Sequence, residues 1–169
     1  NRPAYDMVGQ AMGGIMSITG EPDRRPMKVG VAIADVMTGM YATTAILAAL
    51  RHRDTTGVGQ HIDLALLDSQ LAWLANVGQG YLVSGEEPPR LGNDHPTVVP
   101  YGVFDAKDVG LVIGVGNDAQ FQRFCAFAGL VELANDTRFT SNANRVRNRD
   151  ALIPLIAKVL VRHPMRHWI

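Results

Sequence analysis

The sequence predicts an α/β protein: a helix-rich segment carrying a sheet strand, followed by part of a smaller α+β unit. Three observations carry that expectation. The apolar stretch from Asp35 to His52 has helical spacing, and His61-Ile62-Asp63-Leu64-Ala65-Leu66 alternates polar and apolar residues as a strand does. Beyond a break rich in Gly, Pro and Glu at residues 84–89, two short apolar runs flank a turn, and two helical patterns follow. The expected boundaries are 1–85 for the first unit, 86–99 for a linker and 100–169 for the second unit.

Taken in order, residues 4–19 place Met7, Ala11, Gly14, Ile15 and Ile18 at helical spacing, with Gly13-Gly14 allowing close backbone approach. Residues 20–28 are a loop by their Gly, Pro and charge content. The strongest helix follows. Val36, Met40, Thr43, Leu47 and Leu50 form one stripe, Asp35 is placed as its N-cap, and Arg51-His52-Arg53 suits the negative end of its dipole. Asp68 is placed as the cap of a helix running toward Leu82. In the second unit Tyr101–Phe104 and Leu111–Val115 form a hairpin, residues 119–128 and 144–161 are helical with a kink or tolerance at Pro154, and 132–138 is a loop.

Composition narrows the function classes. The chain is 169 residues long and 47% hydrophobic, enough for a substantial core. Lys plus Arg equals Asp plus Glu at 16 each, so no bulk charge draws it to nucleic acid or an anionic membrane. The basic clusters Arg24-Arg25-Lys28 and Arg145-Arg147-Arg149 are expected on solvated surfaces. A single cysteine, Cys125, excludes an internal disulfide and a cysteine-only metal site, and its apolar neighbours mark a small buried thiol. No apolar run is expected to reach membrane-spanning length and no signal peptide opens the chain, which makes a cytoplasmic protein the simplest expectation. The chain opens on Asn1-Arg2-Pro3 and stops at His167-Trp168-Ile169 in what reads as a first helical turn, as a piece of a longer polypeptide would.

Among chemical candidates, Asp35 stands out. A carboxylate at a helix start is favoured in its charged form and can attack an activated acyl carbon. Its approach, Gly30-Val31-Ala32-Ile33-Ala34, is apolar and small, an unusual place for an idle charge. Gly114-Val-Gly116-Asn-Asp-Ala119 imitates a dinucleotide-binding turn but lacks the second strand and its acidic residue, so a tight strand-to-helix turn accounts for it. His163 and His167 have ligand spacing, but Pro164 intervenes and no third ligand is near, so no metal site is expected. Trp73, Tyr101 and Trp168 are spaced as core or half-buried aromatics.

Several separated motifs in order resemble the family III CoA-transferases: Tyr5-Asp-Met-Val-Gly-Gln10-Ala-Met-Gly-Gly14, Gly30-Val-Ala-Ile-Ala-Asp35-Val-Met-Thr-Gly39, Thr56-Gly-Val-Gly-Gln60-His-Ile-Asp63, Leu91-Gly-Asn93-Asp-His95-Pro96 and Asp136-Thr-Arg138-Phe139. The resemblance implies a Rossmann-like large domain followed by a small α+β domain, in an interlocked homodimer. It implies no permanently bound cofactor, with coenzyme A and acyl-CoA as substrate and a carboxylic acid as partner. Asp35 would be the covalent residue, passing through an aspartyl anhydride and an aspartyl-CoA thioester, with Tyr5, Gln10, Gly92 and Asn93 as substrate-binding positions.

The α-methylacyl-CoA racemases share this superfamily and are the first alternative. They pair the aspartate with a His-Asp dipeptide upstream, where this chain has Tyr5-Asp6. Tyrosine is a poor base near neutral pH, which favours transfer. A non-catalytic fragment or relative of the fold is the second alternative. Formyl-CoA transferases carry a run of glycines in the second domain. Between Pro89 and Tyr101 this chain has only Gly92, which points to a larger dicarboxylate acceptor.

Overall fold

The computed structural model describes residues 3–169, which form two compact units, one reaching to Gly92 and the other running from Asn93 to Ile169. In the first unit, α1 (Asp6–Met12) and α2 (Ile15–Ile18) replace the single helix expected over 4–19. The break falls at Gly13-Gly14. Gly14 adopts φ 85°, a left-handed conformation that favours glycine, and a Cβ on Gly13 would collide with the Gln70 side chain.

Helix α3 (Ile33–Thr56) is 24 residues long and starts two residues before Asp35. By length and composition it could cross a membrane, contrary to the sequence expectation; at 1.5 Å per residue it spans about 36 Å. It packs against α1 and α4 (Leu66–Ala72), yet Val36, Met40 and Leu47 are more than half exposed. Such an all-round apolar helix also suits the interior of a large soluble protein.

Residues 61–65 form no strand. They run as unpaired chain into α4, because no neighbouring strand among the described residues offers a ladder of hydrogen bonds. The parallel sheet of a Rossmann-like domain is thus not formed here. Asp68 is the third residue of α4 rather than its cap, which is Ala65. The helix expected to reach Leu82 breaks at Trp73-Leu74 and restarts as α5 (Ala75–Ser84), with Ala75 at φ 45°.

The second unit closes on its own core. Strands β1 (Tyr101–Asp105) and β2 (Gly110–Gly114) pair antiparallel, with Val103 opposite Val112, and turn Phe104 and Leu111 inward. Helix α6 (Asp118–Phe127) buries Phe121 and Cys125 one turn apart. Asn117 caps it by accepting the Gln120 N–H at 2.9 Å, while Gln120 Oε1 accepts the Gly116 N–H at 2.6 Å. That reciprocal pair accounts for the residues that imitate a nucleotide-binding turn.

The stretch expected as a loop over 132–138 contains α7 (Val131–Asn135), and the helix expected over 144–161 divides at Asn148 into α8 (Asn142–Arg147) and α9 (Arg149–Leu160). Leu152, Ile156 and Leu160 recur every fourth residue on the buried face of α9, whereas Pro154 points to solvent, where the hydrogen bond it cannot donate is least costly. A last turn, α10 (Met165–Trp168), lets the Trp168 indole N–H donate to the Leu160 carbonyl at 3.0 Å. His163 and His167 stack with centroids 4.1 Å apart.

Arg145 corrects the surface reading of its basic cluster. Its side chain is fully buried: Nε donates to the Val99 carbonyl at 2.7 Å, Nη1 to the Phe139 carbonyl at 3.0 Å, and the guanidinium lies 4.4 Å from the Phe121 ring centroid. Nη2 approaches Asp118 at 2.9 Å as an ion pair, off the direction of a hydrogen bond. The neighbouring Cys125 thiol is pushed up to about 11 by burial, an effect the Arg145 charge partly opposes.

Candidate active site

The turn that carries Asp35 is assembled by α1. Tyr5 stands at the N-cap of α1 in extended backbone, and its carbonyl accepts the N–H groups of Val8 at 2.9 Å and Gly9 at 3.1 Å. The next residue, Asp6, faces α3: Oδ1 accepts the Ala34 N–H at 2.8 Å. Asp35 is therefore not the cap. Ala32 occupies that position without a side-chain oxygen, and a carboxylate from another helix satisfies the first turn in its place.

One helical turn after Asp6, Gln10 is fully buried and uses its whole amide. Nε2 donates to Asp6 Oδ2 at 2.7 Å and to the Val31 carbonyl at 3.3 Å, and Oε1 accepts the Val29 N–H at 2.8 Å. The apolar approach to Asp35 is thus held from residue 29 to residue 34 by two side chains of α1. Gly9 packs against this turn: a Cβ there would lie 3.4 Å from the Cβ of buried Ala34, in van der Waals contact.

Asp35 itself is exposed in the first turn of α3, where the helix dipole favours negative charge, and its carboxylate has no hydrogen-bond partner among the described residues. A charged carboxylate left unengaged on a held turn is the form a nucleophile needs. The Tyr5 side chain is 86% exposed.

Gly92 ends the first unit in a left-handed turn, φ 59°, with its N–H donating to the Gly20 carbonyl at 3.0 Å. Arg90 secures that end by donating to the carbonyls of Ser17, Glu21, Pro22 and Arg24 at 2.8–3.2 Å. Asn93 is exposed and opens the second unit. A cleft of about 650 Å³ is lined by Ser17, Asp23, Tyr81, Glu87 and Arg90 among others, and Asp35 does not line it. The Ser17 hydroxyl in it donates to the Gly14 carbonyl at 2.6 Å rather than to a base, so the Asp35 turn remains the stronger candidate.

Sequence reasoning assigned no role to Asp6 or Arg90. The i, i+4 spacing of Asp6 and Gln10 was the available signal for the first; Arg90 reaches carbonyls some seventy residues away and had none.

The chain matches CoA-transferase family III over residues 1–169. It is 52% identical over 145 residues to a succinate–glutarate CoA-transferase of Agrobacterium fabrum, covering 86% of this chain and 36% of that protein. It is 42% identical over 168 residues to an acetyl-CoA:oxalate CoA-transferase of Acetobacter aceti, covering 99% and 43%. The crystal structure of a CAIB/BAIF family protein from Brucella suis superposes with a TM-score of 0.78 at 47% identity, over 98% of this chain and 43% of that one. The chain thus spans roughly two fifths of the length of the relatives it matches. Over that span, the chain belongs to CoA-transferase family III.

Proposed function

We propose that the full-length protein transfers coenzyme A from an acyl-CoA donor to a carboxylic acid, with Asp35 as the covalent residue. One observation carries the reading: within the family match, Asp35 presents an unengaged carboxylate on a turn that Asp6 and Gln10 hold from behind. In the first exchange the Asp35 carboxylate attacks the donor thioester, forming an acyl-aspartyl anhydride and expelling CoA thiolate. The thiolate attacks the aspartyl carbonyl of the anhydride, releases the donor acid and leaves an aspartyl-CoA thioester. The acceptor carboxylate then attacks this thioester and expels the thiolate, which returns to the acceptor's acyl carbon and frees Asp35. No net proton is gained or lost.

Both relatives named above carry dicarboxylates in their names, and the 52% identity to the succinate–glutarate enzyme favours a C4–C5 dicarboxylate pair. Tyr5, Gly92 and Asn93 are proposed to meet the substrates, Tyr5 through its exposed hydroxyl and the other two through the turn they form. The full protein is read as an interlocked homodimer with a Rossmann-like large domain and no resident cofactor. The remainder of that large domain is proposed to cover the apolar faces of α3 and to pair residues 61–65.

The test is steady-state transfer by the full-length enzyme with succinyl-CoA and glutarate. Asp35→Asn keeps the shape but removes the nucleophile, and kcat is expected to fall by about 10³ or more. An Asp35→Asn enzyme within tenfold of wild type would remove Asp35 from the mechanism.

A further inference from the structure

We infer that Gln10 is a positioning residue for Asp35, not a substrate contact: its buried amide fixes the backbone of residues 29–31 so that α3 begins with Asp35 correctly aimed. The inference rests on the reading of Asp35 as nucleophile and is carried by the three hydrogen bonds of the buried Gln10 amide. Both Nε2 N–H bonds are spent, on Asp6 and on the Val31 carbonyl, and Oε1 is spent on the Val29 N–H. The side chain is 0% exposed, so no group remains to meet a ligand. Asp6 completes the device by capping Ala34, the residue immediately before Asp35. Two side chains on one face of α1 thereby set three points of a six-residue approach, the Val29 N–H, the Val31 carbonyl and the Ala34 N–H, whose own side chains are apolar and cannot fix it.

The pair also suggests its own rescue. Gln10→Glu sets a carboxylate against Asp6 and removes both donated bonds. In the double variant Asp6→Asn/Gln10→Glu, the new amide donates to the new carboxylate. The Asn oxygen still accepts from Ala34, the Glu oxygen still accepts from Val29, and only the 3.3 Å bond to Val31 is lost.

In the full-length enzyme with succinyl-CoA and glutarate, Gln10→Met is expected to lower kcat by about 10²-fold, with donor and acceptor KM within about twofold. Gln10→Glu is expected to be at least as impaired, and the double variant to recover about tenfold relative to it. Independently of activity, hydrogen–deuterium exchange in Gln10→Met should rise in peptides covering 29–35 and stay unchanged in peptides of residues 93–169. A Gln10→Met enzyme with unaltered kcat and a raised acceptor KM would overturn the inference in favour of a substrate contact. Unchanged exchange over 29–35 would overturn it outright. Absence of transfer in the wild type would instead sink the proposed function and leave the exchange experiment to judge Gln10.

Discussion

The two units use the same share of apolar residues in opposite ways. From Asn93 onward, Val99, Phe104, Leu111, Phe121, Phe139, Leu152 and Ile156 are nearly or fully buried in one core that a hairpin and the helices around it enclose. Up to Gly92, Ile15 and Ala34 are the buried hydrophobic residues among those described, while the longest helix exposes Val36, Met40 and Leu47. Polar ties hold the first unit beside the packing of α1, α3 and α4: the Asp6–Gln10 pair at the start of α3 and the Arg90 fork on the loop after α2. The second closes a core of its own, and the first is tied together around the turn that presents Asp35.

Paired truncations break that comparison most directly. Phe121→Ala, in the closed core, should cost about 4 kcal/mol, whereas Leu47→Ala, 63% exposed, should change the stability of this chain by no more than about 0.5 kcal/mol. Urea unfolding followed by Trp168 fluorescence in a Trp73→Phe background reads the first effect, and far-ultraviolet circular dichroism the second. Equal costs would mean that the first unit has a core of its own. In the full-length protein Leu47→Ala should become expensive, about 2 kcal/mol or more, if the remainder of the large domain covers α3.

Arg145→Met tests whether the second unit also depends on a buried polar element. The change strands the Val99 and Phe139 carbonyls in the core, and the same urea experiment should show a loss of about 3 kcal/mol. A neutral result would make the guanidinium's carbonyl bonds dispensable.

The smallest expected effect comes from Cys125, whose thiol burial raises to about 11 from 9.0. Above pH 9 the unfolded chain releases this proton and the folded chain keeps it, so the unfolded state binds fewer protons and stability falls as pH rises from 9 toward 11. Below pH 9 the thiol contributes no slope. Cys125→Ala should flatten the stability profile over that window, and a slope that survives the substitution would assign it to another group.

What the sequence revealed divides along the same line. The hairpin was legible because alternation and turn lie within fifteen residues, and α6 because Asn117 and Gln120 cap it locally. Strand character at 61–66 was legible only as a propensity; a strand exists when a neighbour completes its ladder, and none does so here. Arg145 misled because the burial of a guanidinium depends on carbonyls that the fold brings together. The same holds at the site. The motif around Asp35 singled out the residue, but its place in the helix depends on Asp6, which lies close to it only in three dimensions.

The proposed transfer requires that Asp35 become covalently acylated. Full-length enzyme incubated with succinyl-CoA, quenched with hydroxylamine and digested, should yield a hydroxamate on the peptide containing Asp35, absent when the donor is omitted and absent in Asp35→Asn. Efficient transfer to glutarate with the Asp35 peptide unmodified, or with the adduct on another carboxylate, would contradict the account.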